Sequence, residues 1–248
     1  MALTVLSWNM QGSNDDSKIK ALQTLVDHIL DEGNQCVVLL QECGDQKSNG
    51  FYPQKPVAWN EKLNCICYNH EHLSFEHRSS MAILASCNMG GIVGNHDIIA
   101  PNRPMPFIMW GDRIIATFHA PDVESEAVMY TKIALDDLRK TKKDWLLVGD
   151  FNADPNCFNS DKTIIRPDCA NKIQYGDGES LKCCNMIHPV GNTYGEYGIR
   201  TRLTNYAFMS NIGYFSDHAD TQMINIALRD DAGNLIGTHN LIGLRFNS

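Results

Sequence analysis

The sequence predicts one α/β domain, residues 1–248, in which two mixed sheets pack together with helices outside. Three observations carry that expectation. Short apolar runs of strand character outnumber helical stretches. The two clear amphipathic helices each follow a strand or a hairpin. Neither internal repeats nor a low-complexity linker divides the chain. A hydrophobic content of 43% over 248 residues is enough for a sizeable core.

Leu3-Thr4-Val5-Leu6-Ser7-Trp8 reads as a buried first strand. Asn14-Asp15-Asp16-Ser17 supplies capping residues for a helix through about Leu30, with Ile19, Leu22, Val26 and Ile29 at helical spacing and Glu32-Gly33-Asn34 as its stop. Cys36 to Glu42 is a second strand ending on a carboxylate. Asn64 to Ser86 gives short strands, Met81 to Ala85 among them, and Pro101 to Pro106 reads as a loop. Phe107 to Trp110 and Arg113 to Phe118, joined by Gly111-Asp112, form a hairpin. Ser125 to Arg139 is a second helix, and Trp145 to Val148 a strand that delivers Gly149-Asp150-Phe151-Asn152. Residues 153–200 are rich in Asn, Asp, Gly and Cys and carry no clear period. Tyr206 to Met209 and Met223 to Leu228 read as the late strands.

Composition excludes some functions. No run of about 18 apolar residues occurs, so a transmembrane segment is not expected. The first residues are too short an apolar core for a signal peptide, which leaves a cytoplasmic chain or a processed form. A net charge of −8 argues against a broad basic footprint for nucleic acid, though not against a local groove from Lys140, Lys142, Lys143, Arg200 and Arg202. Nine cysteines cannot all pair within one chain, and without a Cys-x-x-Cys spacing a structural zinc site is not expected. Cys36, Cys43, Cys65, Cys67 and Cys87 read as buried free thiols. Cys157, Cys169, Cys183 and Cys184 share a polar stretch where a disulfide would suit an exported protein.

Chemistry-bearing residues fall at strand ends. Asn9 follows the first strand, Glu42 ends the second, and His119 ends the hairpin. Asp150 and Asn152 follow the central strand, Asn205 precedes a late one, and Asp217 and His218 precede the last. Taken singly, each has a structural explanation as a turn, cap or solvated end. Strand termini are nevertheless where α/β folds place their chemistry. Two carboxylates, a carboxamide and an imidazole in Gly149-Asp150-Phe151-Asn152 and Ser216-Asp217-His218 suit metal-assisted attack of water on a phosphate ester.

These strings resemble those of the endonuclease/exonuclease/phosphatase superfamily, the deoxyribonuclease I-like proteins, and within it the nuclease subunits of cytolethal distending toxins. Trp8-Asn9-Met10-Gln11-Gly12-Ser13 is similar to the Trp-Asn-Leu-Gln-Gly-Ser that opens those subunits. Gln41-Glu42, Arg78 to Ser86, Arg103-Pro104 ahead of Thr117-Phe118-His119-Ala120, Gly149 to Asn152 and Ser216-Asp217-His218 follow in the same order. The resemblance implies a four-layer α/β sandwich, two central mixed sheets flanked by helices. It implies Mg²⁺, or Mn²⁺ or Ca²⁺, at Glu42 with Asn9 and Asp217 nearby, a hard-cation set of oxygen donors. Asp150 and Asn152 would orient water and phosphate, and His119 and His218 would stabilise the transition state or move protons. Arg78 and Arg103 would clamp phosphate oxygens, with surface ion pairs as their structural alternative.

The superfamily's Asp-Tyr, whose Asp holds the histidine of Ser-Asp-His, is here Asn205-Tyr206. That change implies weakened activity, a retuned pH optimum, inactivation, or a carboxylate supplied from elsewhere. The functions left standing are a DNA endonuclease of the toxin type, a phosphoinositide phosphatase using the same centre, and a weakened homologue acting by binding. The toxin resemblance further implies secretion, action inside a target cell, and delivery or binding subunits as partners.

Overall fold

The computed structural model describes residues 2–11, 16–43, 58–60, 63–69, 81–86, 91–100, 103–158, 172–174, 184–187, 203–210, 213–218 and 223–247. Among these described residues, fourteen strands form two seven-stranded sheets. In the first sheet the order is β13 (Ile224–Ile226), β14 (Leu241–Phe246), β1 (Leu3–Asn9), β2 (Gln35–Gln41), β5 (Met81–Ser86), β4 (Leu63–Asn69), β3 (Ala58–Asn60). In the second it is β10 (Lys172–Gln174), β11 (Cys184–Ile187), β12 (Asn205–Ser210), β9 (Asp144–Asp150), β8 (Arg113–His119), β7 (Arg103–Trp110), β6 (Gly91–Ala100). Each sheet has one parallel pair at its centre, β1 with β2 and β8 with β9, and antiparallel neighbours around it.

Helix α1 (Asp16–Asp31) covers the outer face of the first sheet, and α2 (Glu124–Lys140) that of the second. The side-chain period of two explains the layering. In β1, Leu3 and Val5 enter the cluster between the sheets, while Leu6 and Trp8 pack outward with Leu22 and Val26 of α1. In β9, Leu146 and Val148 point inward, and Trp145 and Leu147 point outward to Ala134, Leu135 and Leu138 of α2. With both faces covered, β1 is buried at every position. The result is the four-layer sandwich.

Gly149 shows how tightly the central pair is built. A Cβ there would lie 2.0 Å from the carbonyl oxygen of Phe118. The Gly149→Ala protein is therefore expected to lose about 3 kcal/mol of stability by urea denaturation, because backbone rather than a flexible side chain must yield.

Three sequence expectations are corrected. The expected loop from Pro101 to Pro106 is strand from Arg103 onward. Pairing of β7 with β8 begins only at Phe107, so the missing N–H groups of Pro104 and Pro106 interrupt no ladder on that side. The run Met223 to Leu228 contributes only the short edge strand Ile224–Ile226. The last strand is Leu241–Phe246, which pairs with β1. Finally, Tyr214–His218 is a one-turn helix, α3, rather than the approach to a final strand. The Asp144 carboxylate accepts the N–H of Phe215 at 3.2 Å and the hydroxyl of Ser210, which folds that turn onto the start of β9.

Among the cysteines described, Cys36 is a buried free thiol that burial pushes up to about 12, and Cys43 is buried too. Cys157 is an exposed free thiol. Arg78, Arg200, Arg202, Cys87, Cys169 and Cys183 lie outside the described residues. No helix of the described residues is long and apolar enough to cross a membrane.

Candidate active site

At one end of the sandwich the inward rows of four strands change from apolar to polar. In β1 the row is Leu3, Val5, Ser7, Asn9, and in β2 it is Val37, Leu39, Gln41. In β8 it is Ile115, Thr117, His119, and in β9 it is Leu146, Val148, Asp150. Because β1 and β2 run parallel, as do β8 and β9, all four rows end on the same side, with Asn9 in register with Gln41 and His119 with Asp150. Antiparallel β12 begins there and sets Asn205 opposite Asp150. Strand direction thus converts a repeating pattern into a cluster.

Beneath the cluster, Gln41 joins the two sheets. Its Nε2 donates to Thr117 Oγ1 at 2.7 Å and to Ser7 Oγ at 3.0 Å, all three residues being buried. Buried polar groups that satisfy one another this way hold sheets in one register.

Above that bridge, Asp150 is 1% exposed and surrounded by donors. Its Oδ2 accepts from Asn9 Nδ2 at 2.8 Å and faces His239 Nδ1 at 3.4 Å; its Oδ1 accepts from the Asn152 N–H at 3.2 Å. Burial pushes the Asp150 carboxyl up, yet His239, His119 and the hydrogen bonds from Asn9 and Asn152 outweigh it, so the pKa lies below the ordinary carboxylate value. The second carboxylate, Glu42, follows β2 in a left-handed conformation (φ 48°). Its Oε1 lies 3.4 Å from His119 Nε2 and 3.4 Å from Asn9 Nδ2. Each carboxylate therefore faces one imidazole, and the Asn9 carboxamide spans both carboxylates.

Asn152 is also left-handed (φ 48°), a conformation Asn tolerates. Its Nδ2 donates to the Ala120 carbonyl at 2.8 Å and lies 3.4 Å from His119 Nε2. Arg103 stands behind the same loop. It donates to the Ala120 carbonyl at 2.9 Å and pairs with Asp122 at 3.4 Å, so its guanidinium braces the backbone after His119.

The structure thus brings together Asn9, Glu42, His119, Asp150, Asn152 and Asn205, with Arg103 adjoining. It does not bring Asp217 and His218 there. Strand β12 carries the chain away from the cluster, and α3 packs against Asp144 at the opposite end of β9, about 20 Å from Asp150 at strand rise. His218 Nδ1 lies 3.0 Å from the Tyr214 carbonyl, and its ring stacks on Tyr214 at 4.5 Å. The lysine run sits at that far end too, where Lys140 pairs with Asp137 and Lys143 with Asp112.

In place of His218, the structure supplies His239, which the sequence reading did not single out. The chain returns to the cluster at Thr238-His239-Asn240, immediately before β14. The His239 ring is buried, with Nδ1 3.1 Å from Asn205 Oδ1 and 3.4 Å from Asp150 Oδ2. A carboxylate only accepts, so Nδ1 carries the hydrogen. The signal was present: a histidine at the head of an apolar run, as at the other strand ends.

This geometry also bears on Asn205. Its carboxamide oxygen accepts from the Thr204 hydroxyl at 3.1 Å and faces the imidazole, while Asp150 supplies the negative charge. An Asn205→Asp protein would set a second carboxylate directly opposite Asp150. Like charges at that distance raise one of the two pKa values. Its rate at neutral pH is expected to stay within about threefold of the parent's while the acid limb of the pH–rate profile moves upward. A gain of about tenfold or more would mean that Asp150 does not fill the role.

The donor set tests for a metal. Glu42 offers hard carboxylate oxygens without a cysteine, which fits a hard divalent cation, whereas Asn9 turns its Nδ2 to both carboxylates and its Oδ1 to the Gln11 N–H. Asp217 does not join them. Among the described residues no group of three or more His, Cys, Asp and Glu is arranged as a ready-made ion cage.

A two-sheet sandwich that gathers carboxylates, carboxamides and imidazoles at one set of strand ends suits metal-assisted cleavage of a phosphoester. The chain belongs to the endonuclease/exonuclease/phosphatase family, whose model matches residues 6–218. The family comprises nucleases and phosphoric-ester hydrolases that are generally dependent on divalent metal ions. Among solved structures, the chain is similar to CdtB, the biologically active subunit of cytolethal distending toxin, at 16% identity and a TM-score of 0.63 over 97% of this chain and 96% of that one. It is similar to TDP2 from C. elegans at 14% identity and a TM-score of 0.58, over 100% of this chain and 75% of that one. The endonuclease domain of TRAS1, a telomere-specific non-LTR retrotransposon, shares 12% identity with a TM-score of 0.56, over 100% and 99%. At such identities the likeness is one of fold. No curated protein sequence matches the chain.

Proposed function

We propose that this protein is a Mg²⁺-dependent phosphodiesterase that cleaves DNA, in the manner of a cytolethal distending toxin nuclease. The observation that carries the proposal is the buried Asp150 carboxylate, held by Asn9, Asn152 and His239, with Glu42 and His119 beside it. Glu42 would hold the cation, with Asn9 fixing the position of its carboxylate, and the cation would supply charge stabilisation to the phosphate oxygens. Asp150, kept ionised by its donors, orients the attacking water through a carboxylate oxygen. Asn152 and His119 donate to the phosphate as charge builds. His239, with its hydrogen on Nδ1 fixed by Asn205 and Asp150, takes a proton from the attacking water on its free Nε2 as the new P–O bond forms, and the leaving oxygen takes its proton from solvent as the old P–O bond breaks. By the family resemblance Arg78 would clamp a phosphate oxygen, and Arg103, which braces the backbone after His119, would add positive charge near the bound anion.

One observation favours a second substrate. The lysine run lies at the far end of the sandwich, where a duplex engaged at the cluster would not meet it, and the net charge is −8. A phosphoinositide phosphatase needs no such track. Plasmid nicking with Mg²⁺, run beside inorganic phosphate release from phosphoinositides, separates the two. Nicking that disappears in the His119→Ala protein supports the first; phosphate release without nicking supports the second. Nicking that persists in His119→Ala contradicts the centre. If the first holds, secretion and delivery subunits become the next expectation to test.

A further inference from the structure

We propose that Gln11 is a positioning residue for the His239 imidazole, an inference that rests on the role given to His239 above. Gln11 follows β1 in a left-handed conformation (φ 59°), stabilised by donation of its N–H to Asn9 Oδ1 at 2.9 Å. From there its carboxamide crosses to the segment ahead of β14. Oε1 accepts the Thr238 N–H at 2.6 Å, and Nε2 donates to Thr238 Oγ1. Two contacts of opposite polarity fix which way the amide faces. Gly237 permits the approach: it is left-handed (φ 77°), and a Cβ there would lie 2.7 Å from Gln11 Oε1.

His239 comes next in the chain. Its carbonyl accepts from Trp8 Nε1 at 3.1 Å. Trp8 and Gln11 thus grip the main chain at His239 and at the residue before it. Asn9, between them in sequence, donates to the Asp150 carboxylate that the imidazole faces. One short segment therefore fixes both the backbone that carries the ring and the acceptor the ring must reach. With its backbone pinned, His239 has only two side-chain torsions with which to meet Asn205 and Asp150 together. Releasing Thr238 lets the ring keep one partner and lose the other, and its Nδ1 hydrogen is no longer dictated.

Gln11→Met keeps the length and bulk of the side chain and removes both hydrogen bonds. Gln11→Glu keeps an acceptor for the Thr238 N–H and for its hydroxyl. The Met protein is expected to lose about 10- to 100-fold in kcat with KM within about twofold, and the Glu protein to recover most of that loss. A readout free of substrate is the ring-nitrogen NMR spectrum at one pH without metal, assigned with His239→Gln. His239 is expected as the single Nδ1–H tautomer in the parent and as a mixture in Gln11→Met, with His119 unchanged. Should Gln11→Met fail to fold, Thr238→Val removes the hydroxyl contact alone and is expected to shift both readouts the same way by less.

An unchanged tautomer and kcat in a folded variant would overturn the proposal. So would equal disturbance of His119 and His239, which marks general loosening. A parent that cleaves no phosphoester defeats the proposed function instead, and the tautomer comparison still decides the role of Gln11.

Discussion

Replacing His239 by Gln is expected to lower phosphodiester hydrolysis by about 10³-fold, whereas His218→Gln leaves it within about twofold. The two histidines compete for one role. His218 has the familiar tripeptide Ser216-Asp217-His218, but β12 has by then carried the chain to the Asp144 end of the second sheet. Its ring is stacked on Tyr214 and its carbonyl accepts the Asn247 N–H after the last strand. His239 lies where β14 starts, on the side where β1 finishes, and it touches Asp150 and Asn205 directly. Gln keeps the size and polarity of the imidazole while removing proton transfer, so the loss reports chemistry rather than packing. Parallel kcat and KM measurements with melting temperatures check it. Equal losses in both variants would contradict the assignment of the role to His239 alone.

Asp150→Asn is expected to reduce kcat by about 10³-fold and to lower stability at neutral pH. The shape is nearly kept, but the charge that faces His239 and His119 is gone, and an amide hydrogen is turned toward the Asn9 or Asn152 donors. The pH dependence gives this an internal control. The native Asp150 pKa lies below its unfolded value, so its stabilisation is whole above the ordinary carboxylate range near about 3.9. It is lost as the pH falls toward the lowered native pKa. The difference in unfolding free energy between parent and Asp150→Asn should therefore be largest near neutrality and shrink on acidification below about pH 4. A difference that grows on acidification would mean that Asp150 is not held as an ionised carboxylate.

Much of this centre was legible because it lies on strands. The alternation in Leu3-Val5-Ser7-Asn9 and in Ile115-Thr117-His119 is a local pattern, and a central apolar strand ending on Asp150 points to a strand terminus in any arrangement. The location of Ser216-Asp217-His218 was not local. It depends on the direction of β12 and on Asp144 capping a one-turn helix, neither of which has a periodic signature. His239 was hidden for a related reason. Gly243 and exposed Arg245 dilute the apolar run of β14, and the pairing that makes it a strand is with β1, at the other end of the chain. The same separation concealed the Gln41–Thr117 bridge and the Gln11–Thr238 contact, which no spacing within one segment announces.

The proposed phosphate-binding centre joins His119 and His239, brought from separate strands, while His218 stands apart. Its most direct measurement is a titration of the Mg²⁺-loaded protein with inorganic phosphate, followed by the ring NMR signals of the three histidines. His119 and His239 are expected to shift together with a shared midpoint, and His218 to stay where it is. A response from His218, with His119 and His239 still, would contradict it.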